Sequence, residues 1–139
     1  MIIEINNRTK SRLPLALLKS VIKKFLLSHR LASGEVSLVL AGDSLMKRLN
    51  RETRGKNKVT DVLSFREADT VAARKNYLGE IVIDYQQIKR QAKTFQTGVR
   101  QELIFILVHG LLHLVGYNDK TDKEAKAMDK LAKRFIAKL

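Results

Sequence analysis

Two histidines, His109 and His113, stand four residues apart in the run His109-Gly110-Leu111-Leu112-His113-Leu114-Val115-Gly116-Tyr117-Asn118-Asp119, and a carboxylate follows them after a glycine. On a helix, residues i and i+4 share a face, so both imidazoles can reach one cation, and a third ligand must arrive after the chain turns back. Gly116 supplies the residue that ends such a helix and reverses the chain. Asp119 is then the expected third ligand, with Asn118 and Asp122 as the other oxygen donors in range. The inert alternative is a pair of half-buried helix histidines. It is disfavoured because burying an imidazole is costly unless its ring nitrogens find partners, and one cation satisfies both rings.

Helical zinc peptidases carry a glutamate directly after the first histidine, where it acts as general base. Here that position is Gly110, which cannot move protons, so ordinary peptidase chemistry loses its main actor. Glu102, two turns before His109, is readable either as a base or outer partner of the site or as a solvated residue favoured by the helix N-terminus. A second constellation is cationic. Between residues 47 and 66, Lys47, Arg48, Arg51, Arg54, Lys56, Lys58 and Arg66 stand against only Glu52 and Asp61, seven charges against two and a local surplus of +5. Arginine's planar fork pairs with two phosphate oxygens at once, so an arginine beside a metal can neutralise charge gathering on a transferring phosphoryl group. The bland reading of the same residues is a solvated helix face and loop.

The whole chain repeats the bias: 27 Lys plus Arg against 14 Asp plus Glu, a net charge of +13 in 139 residues. Clustered cations favour polyanions through counterion release, whereas a membrane-surface role calls for a basic helix with bulky aromatics, and there is no Trp. The absence of cysteine excludes disulfides, thiolate metal sites and thiol nucleophiles, leaving nitrogen and oxygen to hold any ion. No basic-then-apolar leader and no apolar run of spanning length is present, which sets the expectation of a soluble, cytoplasmic protein. The length suits a single domain over residues 1–139.

The elements that must position these residues follow from periodicity. Strands are expected at Ile2 to Asn6, Glu35 to Leu40, Val62 to Phe65 and Leu78 to Ile83, with Gly79 marking a bulge or a close backbone approach. Helices are expected from Leu15 to Leu27, after a cap at Asp43 through Leu49, and from a cap at Asp84 to about Phe95. A strongly apolar helix from about Val99 to Val115 carries both histidines, and its composition implies burial on nearly all sides. Thr121 and Glu124 form a capping box for a terminal helix reaching Leu139. His29 is expected to end a helix in solvent, without a role. Irregular alternation of strands and helices predicts an α+β fold, a small mixed sheet of about four strands covered by helices with the histidine helix central.

Three motifs, Asn50-Arg51-x-x-Arg54-Gly55-Lys56 running into Thr60-Asp61-Val62-Leu63-Ser64-Phe65, then Leu78-Gly79-Glu80-Ile81-Val82-Ile83, then His109-Gly110-x-Leu112-His113-Leu114-x-Gly116-Tyr117, together resemble the YbeY family of bacterial endoribonucleases, or rRNA maturation factors. Their order and separation fit from about residue 35 to residue 130. The resemblance implies a divalent metal, zinc, on the histidine helix and single-strand-specific cleavage in ribosomal RNA maturation and quality control. It implies ribosomal RNA and ribosomal subunits as partners, no DNA, no membrane, a monomer or weak dimer, and the cytoplasm as location. His109 and His113 carry over as ligands, and Arg54 matches the family arginine that faces the metal. Lys47, Arg48, Arg51, Lys56, Lys58 and Arg66 are the expected RNA contacts. The family signature ends in a histidine where this chain has Asp119. A carboxylate there is a competent but charged ligand; it weakens the ion's Lewis acidity and admits manganese, iron or nickel beside zinc. The other reading of this departure is a non-catalytic RNA-binding assembly factor with a degenerate or structural metal site.

Overall fold

The computed structural model describes all 139 residues. β1 (Ile2–Asn7), β2 (Glu35–Ala41), β3 (Val62–Arg66) and β4 (Tyr77–Asp84) form one sheet in the order β1-β2-β4-β3. β1, β2 and β4 are parallel, and β3 returns antiparallel along β4. The helices are α1 (Leu15–Ser28), α2 (Asp43–Arg54), α3 (Tyr85–Phe95), α4 (Val99–Leu114) and α5 (Asp122–Ala137). The expected mixed four-stranded sheet and every expected element are present.

Side-chain alternation divides β2 and β4 between two faces. Val36, Leu38, Leu40, Ile81 and Ile83 join Leu18, Ile22, Phe25, Leu103 and Leu107 in the main core beneath α1 and α4. Ala41, Val82 and Leu63 point the other way and are covered by Met46 of α2. α4 is the central helix: Leu103, Leu107, Val108, Leu111, Leu112 and Leu114 are all buried, as its all-round apolar composition requires.

Two glycines set the distance between these layers. Gly79 has φ +140°, pairing slips by one residue beside it, and a Cβ there would lie 2.1 Å from the Phe65 carbonyl oxygen. The bulge and the close approach expected from the sequence are therefore one feature. Gly110 faces the sheet, where a Cβ would come within 2.9 Å of Ile81 Cγ2. This position is glycine because α4 lies against β4 there, and a glutamate would point into the core rather than toward the histidines.

Asp84 caps α3 by accepting the Gln86 N–H at 3.1 Å, as expected. Asp43 does not cap α2. Gly42 holds that position, Gln86 Oε1 accepts the Asp43 N–H at 2.8 Å, and the Asp43 carboxylate is taken by Arg90 in a two-pronged pair at 2.8 and 3.0 Å. The side chain was drawn off the helix by a partner 47 positions away, which no local signal announces.

Candidate functional site

α4 ends where the sequence places its stop. Gly116 takes φ +107°, its N–H bonds to the His113 carbonyl at 3.1 Å, and the Tyr117 N–H bonds to the Leu112 carbonyl at 3.1 Å, the paired pattern of a Schellman end. Arg66 of β3 completes this end by donating from Nε to the Leu114 carbonyl at 3.1 Å, a cation on the negative end of a helix. The reversal returns the Tyr117 carbonyl to the His113 ring, 3.1 Å from Nδ1. A carbonyl can only accept, so Nδ1 carries the proton and, in the neutral ring, the lone pair sits on Nε2. Nε2 faces Asp119 Oδ2 at 3.8 Å.

His109, one turn earlier, is more enclosed. Its ring lies against Phe105 with centroids 4.6 Å apart, and burial holds its pKa below the ordinary imidazole value despite the opposing pull of Asp129. That favours the neutral form, the one that ligates metals. Its Nε2 is buried and lacks a well-formed hydrogen bond, although Asp129 Oδ1 of α5 lies 3.1 Å away, off the direction such a bond requires.

These donors fit a divalent cation in kind: two imidazole nitrogens, one of them a buried orphan, and a carboxylate, with no cysteine in the chain. As the side chains stand, no three His, Asp or Glu groups are gathered at one point. His113 and Asp119 face each other, and His109 is turned toward Asp129. Asp129 was not singled out in the sequence, because only the packing of α5 over α4 brings it to the first histidine. Asp122 opens α5 and lies outside the cleft, whereas Asn118 lines it beside Asp119.

The cleft in front of His113 has a volume of about 780 Å³ and a mainly polar wall. Arg54 lines it from the end of α2, fixed by donation from Nη2 to the Ser64 carbonyl at 3.0 Å and by the Phe65 ring 5.1 Å beneath its guanidinium carbon. Ser64 and Phe65 thus hold the arginine, a role the sequence did not disclose. Lys56, Lys58 and Arg66 also line the cleft, the loop being shaped by Gly55 at φ +69° and by Asn50, whose Nδ2 donates to the Lys58 carbonyl at 2.9 Å. Lys120 joins them unannounced, and Asp61 and Asp69 interrupt the positive wall. Lys47, Arg48 and Arg51 do not line the cleft; they lie exposed on α2.

Glu102 is neither solvated nor in the cleft. It is 7% exposed and accepts from Gln91 Nε2 at 3.3 Å, with burial raising its pKa. His29 is not free in solvent either: its ring stacks on Phe25 with centroids 4.0 Å apart.

Fold and site together define a class: α+β proteins with paired imidazoles on a buried helix, opening into a cation-rich cleft. The family model described as Endoribonuclease YbeY matches residues 3–139. An Endoribonuclease YbeY of a Sulfurihydrogenibium species is 37% identical over 88% of this chain and 81% of its own length. Its counterpart in Chlorobium phaeobacteroides is 31% identical over 100% and 98%. Among solved structures, a Thermotoga maritima protein determined in solution aligns with a TM-score of 0.67 at 28% identity, covering 97% of this chain and 87% of that one. The chain belongs to the YbeY endoribonuclease family. No helix is long and apolar enough to cross a membrane.

Proposed function

We propose that the chain, acting as one domain, is a metal-dependent endoribonuclease that cuts single-stranded ribosomal RNA during maturation and quality control of ribosomal subunits in the cytoplasm, as a monomer or weak dimer and without acting on DNA. The observation that carries this reading is one cleft holding both a ligand-ready imidazole, His113 with Nδ1 tied to the Tyr117 carbonyl, and an arginine anchored by Ser64 and Phe65. The naming of the relatives as endoribonucleases supports it and disfavours a non-catalytic assembly factor.

His109, His113 and Asp119 are the residues that would hold the ion, zinc in first place with manganese, iron or nickel admitted by the carboxylate. When bound, a divalent ion supplies Lewis-acid polarisation of a phosphoryl oxygen. The rest falls to the chain itself. Arg54 offers its planar fork to the scissile phosphate, where negative charge grows in the transition state. Because Ser64 and Phe65 already hold that side chain, little reorganisation is needed when the phosphate arrives. Lys56, Lys58 and Lys120 draw the neighbouring phosphates along the cleft, and Arg66 does so while tied to α4. Lys47, Arg48 and Arg51 act as an outer attracting field rather than as cleft contacts.

Incubation of single-stranded rRNA fragments with purified protein of known metal content tests the reading. Cleavage by the wild type, lost in Arg54→Ala and after chelation and restored by one divalent ion, is expected. Metal-loaded protein that leaves the RNA intact, like Arg54→Ala, refutes it.

A further inference from the structure

Beyond Tyr117 lies a second cavity of about 310 Å³, between α1, the end of α4 and the last turns of α5. Its floor is apolar, formed by Phe25, Leu112 and Phe135, and its rim carries Lys24, Arg134 and Lys138. No Asp or Glu lines it. An apolar hollow whose charged side chains are all basic suits a flat apolar group attached to an anion, which is the chemistry of a nucleotide.

Tyr117 connects this cavity to the cleft. The residue is 44% exposed and lines both, while its carbonyl holds the His113 ring. A strand whose phosphate lies beside Arg54 and His113 must therefore pass Tyr117 before it leaves the cleft on this side. The base of the next nucleotide then meets the tyrosine face and the His29 ring, itself stacked on Phe25, and its flanking phosphates meet the lysines. Exposed aromatics beside cations are how proteins hold unstacked bases of single strands. A duplex keeps its bases stacked inside and has none to insert.

We propose that this cavity is a subsite for one unstacked base of single-stranded RNA, adjoining the scissile phosphate through Tyr117. It rests on the endoribonuclease reading for what occupies the cleft. It adds the reason a single strand is preferred: the subsite takes a base that only an unpaired strand can turn outward.

The test is equilibrium binding of a fluorescent 2′-O-methyl oligoribonucleotide, checked to remain uncut, to metal-loaded protein, with a single abasic residue walked along the strand. For the wild type one abasic position is expected to weaken binding about 10-fold, the scale of one lost base stack. In the double variant Lys24→Glu, Lys138→Glu, both exposed positions, the intact oligonucleotide is expected to bind about as weakly and the abasic position to make no further difference. Tyr117→Ala is expected to behave likewise. Equal binding by wild type and charge-reversed protein, an abasic walk without a sensitive position, or capture of an acidic apolar peptide in place of RNA overturns the subsite. Cavity-dependent binding without cleavage of ordinary RNA leaves the subsite standing and refutes the endoribonuclease; cleavage unaffected by the cavity variants does the reverse.

Discussion

Asp84 is expected to make this protein less stable at neutral pH than an asparagine would. The residue is fully buried at the end of β4, with Oδ1 capping α3 and Oδ2 without a donor. Burial first, then the hydrogen bond and charge of Asp43, raise its pKa to about 7, while Arg90 above all draws the Asp43 carboxyl down to about 2. The folded protein therefore keeps a proton on Asp84 over a range in which the unfolded chain, with an ordinary value of 3.8, has released it. A folded state that binds more protons loses stability as pH rises, so the loss begins near the unfolded value and levels off above the folded one. Between pH 5 and pH 8 the loss from Asp84 amounts to about 2 kcal/mol at 1.36 kcal/mol per pH unit, allowing for the part carried by Asp43. Asp84→Asn keeps the oxygen that caps Gln86 and gives Asp43 a permanent N–H donor. Its stability relative to the wild type should therefore rise by about 2 kcal/mol across that range. His109, whose pKa is lowered, works in the opposite sense, and Glu102 in the same sense as Asp84; both are present in the two proteins and cancel in the difference. Urea unfolding followed by circular dichroism at pH 5, 6, 7 and 8 measures it. Parallel profiles, or a variant less stable than the wild type at pH 8, refute the buried-proton argument.

Arg54→Lys keeps the charge but loses the fork held by the Ser64 carbonyl and the Phe65 ring, so RNA cleavage should fall at least about 10-fold while the salt dependence of RNA binding barely changes. Gly110→Ala, whose new methyl meets Ile81, should cost about 1–3 kcal/mol in denaturant unfolding; Gly79→Ala, blocked by the Phe65 carbonyl as well as by its φ, should cost more. Asp119→His should shift metal preference toward zinc, read as metal identity and stoichiometry by mass spectrometry after loading from an equimolar mixture, whereas unchanged content would remove Asp119 from the ligand set.

Elements were legible because their signals are local. The all-round apolar run of α4, the Thr121 cap on the Glu124 N–H, the glycine stop at Gly116 and the strand alternation all act over a few residues, and the structure obeys each. The Glu124 carboxylate, however, takes the Thr121 hydroxyl rather than the Thr121 N–H of a full capping box. Asp43 departs from its local signal for the same reason: its side chain answers to Arg90, which approaches only when α3 folds back along α2.

The sequence by itself determined the kind of chemistry. Two imidazoles at helical spacing, a carboxylate after the turn and a surplus of cations are statements about residue type and short separation, and three motifs in order fix the family. Tertiary structure decided which of these groups share a cleft. It brought Arg54, Lys56, Lys58 and Arg66 in front of His113 and left Lys47, Arg48 and Arg51 outside, set Asp129 against His109, and buried Glu102. The physical reason is that a side chain's surroundings depend on which helix faces and sheet faces meet. Those meetings are chosen by the packing of distant apolar residues, not by the neighbours a residue has along the chain.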